Sequence, residues 1–153
     1  MKRQFLTVKV VEAEEMTEGD YYQAQGYGNG YDNFKEKVYR IFYENGYVSM
    51  LPKNVFLGNA YEIENNSITP EVVKSFIKNT EITTERIYGK LNTVLRYELA
   101  NGFVGIETSS CVDEKNYSKE IGEQILLERL YDKIWFGLGF ALGMANKYKE
   151  VKW

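Results

Sequence analysis

From Leu91 to Leu99 apolar and polar residues alternate. Leu91, Leu95, Tyr97 and Leu99 fall on one side, Asn92, Arg96 and Glu98 on the other. A two-residue period of this kind marks a strand with one buried face, and the pattern carries the strand back to Glu85. Asn101-Gly102 supplies a hairpin turn, and the chain returns through Phe103 to Val112. Asp113 to Tyr117 is polar and reads as a loop. From about Ser118 the period becomes helical, with Ile121, Ile125, Leu130 and Ile134 facing inward. A shorter helix precedes the strands: Thr69 caps it, Pro70 takes its first position, Glu71 meets the positive end of its dipole, and Val72, Val73, Phe76 and Ile77 form its apolar stripe.

The first third of the chain is patterned differently. Phe5 to Ala13 is apolar and β-branched enough for a strand, whereas Tyr21 to Asn33 has no period and reads as a loop rich in Gly, Tyr and Asn. Val38 to Tyr43 and Tyr47 to Met50 flank Asn45-Gly46, a pair suited to the two positive-φ positions of a tight hairpin turn. Pro52 opens a short helical turn through Val55 and Phe56. The polar run Glu64-Asn65-Asn66-Ser67 divides the chain into a small β-rich module, residues 1–66, and a second module, residues 67–153. The expected fold is α+β: antiparallel hairpins packed against a long C-terminal helix and a short one.

Composition narrows the chemistry. The 153 residues are 44% hydrophobic and 27% charged, enough apolar content for real cores. A net charge of −3 provides no broad positive field, which disfavours binding to duplex nucleic acid. There is no histidine and one cysteine, Cys111, so no zinc set and no intrachain disulfide is available, as suits a reducing cytosol. The usual base for activating a serine or cysteine is missing too, and Cys111 reads as a small buried hydrophobe in a strand. Met1 to Leu6 begins like a signal peptide, but Lys9 and Glu12 interrupt the apolar run. Ile134 to Ala145, the most apolar stretch, falls short of the roughly 20 residues a bilayer span requires. These features point to a small cytosolic protein that binds and does not catalyse, with no cofactor.

Four constellations remain. Gly26-Tyr27-Gly28-Asn29-Gly30-Tyr31 lacks the third glycine, the lysine and the capped helix of a phosphate loop, and reads as a surface loop whose tyrosines offer contacts. Asp113, Glu114, Glu120 and Glu123 cluster at a helix start, where acidic groups serve the dipole more often than acid–base chemistry. Gly139 and Gly143 share a helix face beside Trp135, Phe136, Phe140, Leu142 and Met144, an apolar surface suited to a contact between subunits. Arg86, Lys90 and Arg96 on the hairpin and Arg129 and Lys133 on the helix would converge on a phosphate if helix and hairpin pack together. Pairing of the helix cations with Glu128 and Asp132 is the plainer expectation.

The ordered series Asn101-Gly102-Phe103-Val104, Cys111 to Tyr117, Glu120-Ile121-Gly122 and Asp132-Lys133-Ile134-Trp135 resembles a family of small phage and prophage proteins named after products of phages N4 and Sf6. Type-1 Thoeris anti-defence proteins look like members of the same group. The likeness spans roughly residues 68–136. Tyr47-Val48-Ser49 and Pro52 to Phe56 are similar to a segment that precedes such domains in some phage proteins. What the resemblance implies is a sponge in the host bacterial cytoplasm. It would hold a cyclic ADP-ribose isomer, or a cyclic oligonucleotide, without cleaving it, as a homodimer or higher homo-oligomer with pockets at subunit contacts. By the same resemblance Asn116 is the base-contacting asparagine, Phe103 the aromatic residue, and Arg129 and Lys133 the phosphate contacts, with Arg96 added from its hairpin placement. Many relatives end soon after Trp135, whereas this chain continues Phe136-Gly137-Leu138-Gly139-Phe140. The alternatives are a module that binds a host protein through its tyrosine-rich first part, and a hydrolase of such signals.

Overall fold

The computed structural model describes residues 3–147. The chain divides into two compact units, Met1–Glu62 and Ile63–Trp153, a few residues before the polar seam.

In the first unit three strands form an antiparallel meander: β1 (Glu12–Thr17), β2 (Lys37–Phe42) and β3 (Val48–Pro52), in that spatial order. β1 begins at Glu12. The apolar stretch from Phe5 joins no ladder, and Phe5 and Leu6 are exposed. Helix α1 (Glu18–Ala24) occupies part of the expected loop. Its start is a capping box: Thr17 Oγ1 accepts from the Asp20 amide at 3.1 Å while the Asp20 carboxylate accepts from the Thr17 hydroxyl and amide. That signal is local, and the absence of an apolar stripe behind it hid the helix. A single 3₁₀ turn follows at Asn29–Tyr31. Gly19 is buried where an added Cβ would come within 2.5 Å of the Tyr31 carbonyl oxygen, so only glycine lets α1 lie against that turn. Pro52 is the N-cap of α2 (Lys53–Leu57), one position earlier than its expected place inside the helix.

The second unit is a second meander, β4 (Ile77–Ile87), β5 (Lys90–Leu99) and β6 (Val104–Ser110), with α3 (Pro70–Ser75) and α4 (Lys119–Lys147). The stretch from Glu85 to Leu99 is two strands joined at Tyr88-Gly89, not one. Both turn residues have positive φ, 49° and 80°, the two-residue turn whose twist matches the strands. Tyrosine is an uncommon occupant, which is why composition did not betray it. The two Asn-Gly turns use a different geometry. Only Gly46 and Gly102 have positive φ, and Tyr43 and Leu99 donate to the carbonyls of Tyr47 and Phe103 across three-residue loops.

α4 lays Leu126, Leu130 and Ile134, spaced by four, against Leu95, Tyr97 and Leu99 of β5, and Val73 of α3 completes the core. Burial of each such side chain contributes about 1.5–3 kcal/mol. Ile121 lies outside this stripe and is exposed. Gly122 brings α4 hard onto the sheet: a Cβ there would come 2.2 Å from Thr93 Oγ1. The result is α+β, as the periodicity implies. Among the described residues no helix is long and apolar enough to cross a membrane.

Candidate functional site

The loop after β6 is pinned from below. The Tyr117 hydroxyl lies 2.7 Å from that of Thr84 and 3.2 Å from that of Thr93. The Asp113 carboxylate accepts from the Lys115 amide at 3.0 Å and caps a 3₁₀ turn, Glu114–Asn116. Asn116 is therefore held exposed on a short ordered turn. Beside it stands the β4–β5 turn. Arg86 Nη1 donates to the Gly89 carbonyl and meets the Glu114 carboxylate at 2.5 Å, and Lys90 Nζ reaches the Val112 carbonyl at 3.4 Å. One end of the sheet thus gathers Arg86, Lys90, Lys115 and Asn116, with the Tyr88 side chain fully exposed at the tip. Cations that fork onto oxygens, a carboxamide and a flat ring are the groups that bind a phosphorylated base.

The other expected residues lie elsewhere. Arg129 and Lys133 sit one turn apart on α4 and reach β6: Arg129 Nη1 donates to the Thr108 carbonyl at 3.1 Å, and Lys133 pairs with Glu107. Glu128 instead accepts from Gln124. Arg129 is ten residues into α4, a rise of roughly 15 Å from the Asn116 end. Phe103 is exposed in the β5–β6 turn, at the far end of a ten-residue strand that spans roughly 30 Å. Arg96 is on the sheet face opposite α4, where it donates to Thr83 at 3.1 Å and to Glu85 at 2.7 Å. That guanidinium, followed by the Thr83 hydroxyl, holds the Glu85 carboxyl below the usual carboxylate range. Helix and hairpin do pack together, yet the five cations do not converge: Arg86 and Lys90 share the sheet end, Arg129 and Lys133 are neighbours along β6, and Arg96 lies on the opposite sheet face. Tyr88, absent from the expected set, had no signal beyond the unrecognised turn.

Three acidic residues near the start of α4 have local partners: Asp113 caps the 3₁₀ turn, Glu114 pairs with Arg86, and Glu120 meets Ser118. Ser118 Oγ accepts from the Ile121 amide at 3.2 Å and donates to Glu120 at 2.9 Å. The Glu120 carboxyl is lowered by its own backbone hydrogen bond and then by Ser118. No group of three potential metal ligands occurs among the described residues. Cys111 follows β6 and is half-buried, not inside a strand.

Residues 68–145 match the family described as phage protein (N4 Gp49/phage Sf6 gene 66). The chain belongs to that family. The match takes in α3, the whole second meander and α4 to Ala145, well past Trp135 where the motif likeness stops, so the apolar half of α4 is part of the Gp49/gene 66 pattern. No curated protein and no solved structure matches the chain.

Proposed function

We propose that this Gp49/gene 66 family protein is a phage anti-defence sponge: it binds a cyclic ADP-ribose-type immune signal, or a cyclic oligonucleotide of like chemistry, in the host cytoplasm and releases it unchanged. The observation that carries this reading is the end of the second sheet where Arg86, Lys90, Asn116 and the bare Tyr88 ring stand together. Guanidinium forks suit a pyrophosphate, and an exposed ring suits adenine. Arg129 and Lys133 offer a second cationic pair too far along α4 to join that end within one chain. A pocket that uses both is built between copies of a homo-oligomer, which also encloses the ligand as tight binding requires. In this arrangement Arg96 stays with Glu85 as a sheet contact, and Phe103 belongs to the neighbouring copy or not at all. A sponge needs no nucleophile, base or metal, and a chain without histidine loses nothing by that.

Calorimetry with cyclic ADP-ribose isomers and cyclic oligonucleotides tests the reading. Binding is expected with at least one, and recovery of intact ligand after heat denaturation separates a sponge from a hydrolase. Arg86→Ala is expected to weaken binding at least tenfold, since a charge-assisted pair is worth about 1.5–3 kcal/mol. A second reading is favoured by the first unit, where Tyr22, Tyr27, Tyr31 and Phe34 form a cluster with ring centroids 4.5–6.2 Å apart. Such a surface suits contact with a host protein, and no heat with any nucleotide would favour it.

A further inference from the structure

The chain carries Asn-Gly three times, at 29–30, 45–46 and 101–102. This dipeptide has a reactivity of its own. Glycine has no Cβ to shield its amide nitrogen, so that nitrogen can attack the carboxamide carbon of the asparagine before it. In sequence the three sites are alike. The hydrogen bonds around them are not.

At the two hairpins both reacting groups are held. The Gly46 amide donates to the Tyr43 carbonyl and the Gly102 amide to the Leu99 carbonyl, each at 2.9 Å. The Asn45 carboxamide oxygen accepts from the Tyr47 amide at 3.1 Å, and that of Asn101 from the Phe103 amide at 3.0 Å. An amide that donates to a carbonyl gives up its proton less readily, and a tethered carboxamide does not swing towards it. Asn29-Gly30, by contrast, opens the single 3₁₀ turn Asn29–Tyr31. The first amides of such a turn have no partner inside it, and its N-cap, Gly28, has no side chain to supply one. Among the described residues no hydrogen bond holds the Asn29 side chain or the Gly30 amide. Both residues are exposed, and a Cβ added at Gly30 meets nothing within 4 Å. In turns of either kind the nitrogen lies off the carboxamide carbon, so each site must open before it reacts. Opening breaks two hydrogen bonds on the reacting groups at each hairpin and none at Asn29.

We infer that Asn29-Gly30 is a site of spontaneous covalent modification, singled out by the fold from three identical dipeptides. Hydroxide removes the Gly30 amide proton, the nitrogen bonds to Asn29 Cγ, and the Cγ–Nδ2 bond breaks as ammonia leaves. Water then opens the five-membered imide at either carbonyl, leaving aspartate or isoaspartate at position 29. One water enters and one ammonia departs, with no oxidant, metal or enzyme. The product places a carboxylate between Tyr27 and Tyr31, whose rings stand 6.0 Å apart and both meet Tyr22. In the isoaspartate form the backbone runs through the side chain of residue 29, one methylene longer. The turn whose Tyr31 carbonyl lies over Gly19 then no longer closes as before. The aromatic surface of the first unit gains charge and loses order as the chain ages, whatever the second unit binds.

Holding the full chain in mildly alkaline buffer for days and mapping its tryptic peptides tests this. The three sites fall on separate peptides, residues 10–35, 41–53 and 97–115, and fragment ions separate Asn29 from Asn33 in the first. Each conversion adds about 1 Da. Asn29 is expected to convert on the order of tenfold faster than Asn45 or Asn101, as two hydrogen bonds retained at each hairpin imply. In concentrated urea the three rates draw together. Gly30→Ala, which the open space around that position accepts, slows conversion at Asn29 sharply and leaves the other two unchanged. The near-ultraviolet circular dichroism of the tyrosines falls as Asn29 is consumed. Native conversion at Asn45 or Asn101 as fast as at Asn29 overturns the inference. A lead for Asn29 that survives in urea overturns it too, because neighbours in sequence and not the fold then decide. Full conversion with an unchanged spectrum overturns the effect on the aromatic surface.

Discussion

Single positions in the second unit have sharply different tolerances. Gly122 sits where Thr93 leaves no room for a Cβ, so Gly122→Ala should cost on the order of 1–3 kcal/mol through overpacking, read as a shift in urea midpoint. Tyr88 is the opposite case. It holds a left-handed turn position with no packing to offset the strain, so Tyr88→Asn should stabilise the fold by about 0.5–1 kcal/mol. If the ring serves a ligand, the same change should weaken nucleotide binding. Stability rising while affinity falls would mark a residue kept for function. Glu85 sets a pH dependence. Its folded-state value lies below the ordinary 4.5 because Arg96 donates to it, so its stabilisation is present above that value and lost as pH falls through the depressed one. Unfolding curves taken from neutral to acid should show a decline below about pH 4.5 that Glu85→Gln makes shallower. With no histidine in the chain, side-chain titration should leave stability nearly flat across roughly pH 6–8.

At the scale of elements, α4 carries the second unit's core. Leu126 and Leu130 are fully buried against β5, and Leu130→Ala should cost about 2–5 kcal/mol, enough to unfold a unit of this size in a thermal melt. The periodicity of β5 and α4, the Thr69-Pro70-Glu71 cap and both Asn-Gly turns were legible because each rests on local chemistry. What escaped was of two kinds. The strand β4 reads Lys78-Asn79-Thr80-Glu81 on its first half, too polar to signal burial because it lies at the sheet edge. α1 announced itself only through a three-residue cap. The candidate site was half legible. Asn116 and the cations were visible as residue types, but their grouping depends on which sheet end and which face each occupies. Arg96 sits on the strand face away from α4, as the alternation in β5 implies, whereas Arg129 stands on α4 itself and reaches β6.

For the molecule as a whole, the surface of α4 and the surface around Asn116 make separate demands. The first is an apolar helix face left exposed, and the second, on the proposed reading, takes a phosphorylated guest. If copies pair through α4, the melting temperature should rise with protein concentration, because only the folded helix presents the paired face. An unchanged melt from dilute to concentrated solution would argue for a unit stable alone. A guest at the sheet end should raise the melt further at saturating ligand, and Glu114→Gln, which releases Arg86 from its ion pair, should strengthen that effect several-fold.

In both meanders each strand lies beside the one that precedes it in the chain. No ladder has to wait for a distant segment, and the ends that must meet are separated by short connections at three of the four junctions. Low contact order of this kind goes with rapid folding. Each meander can close as soon as its own strands are made, and stopped-flow refolding with a single fast phase would be the sign of it.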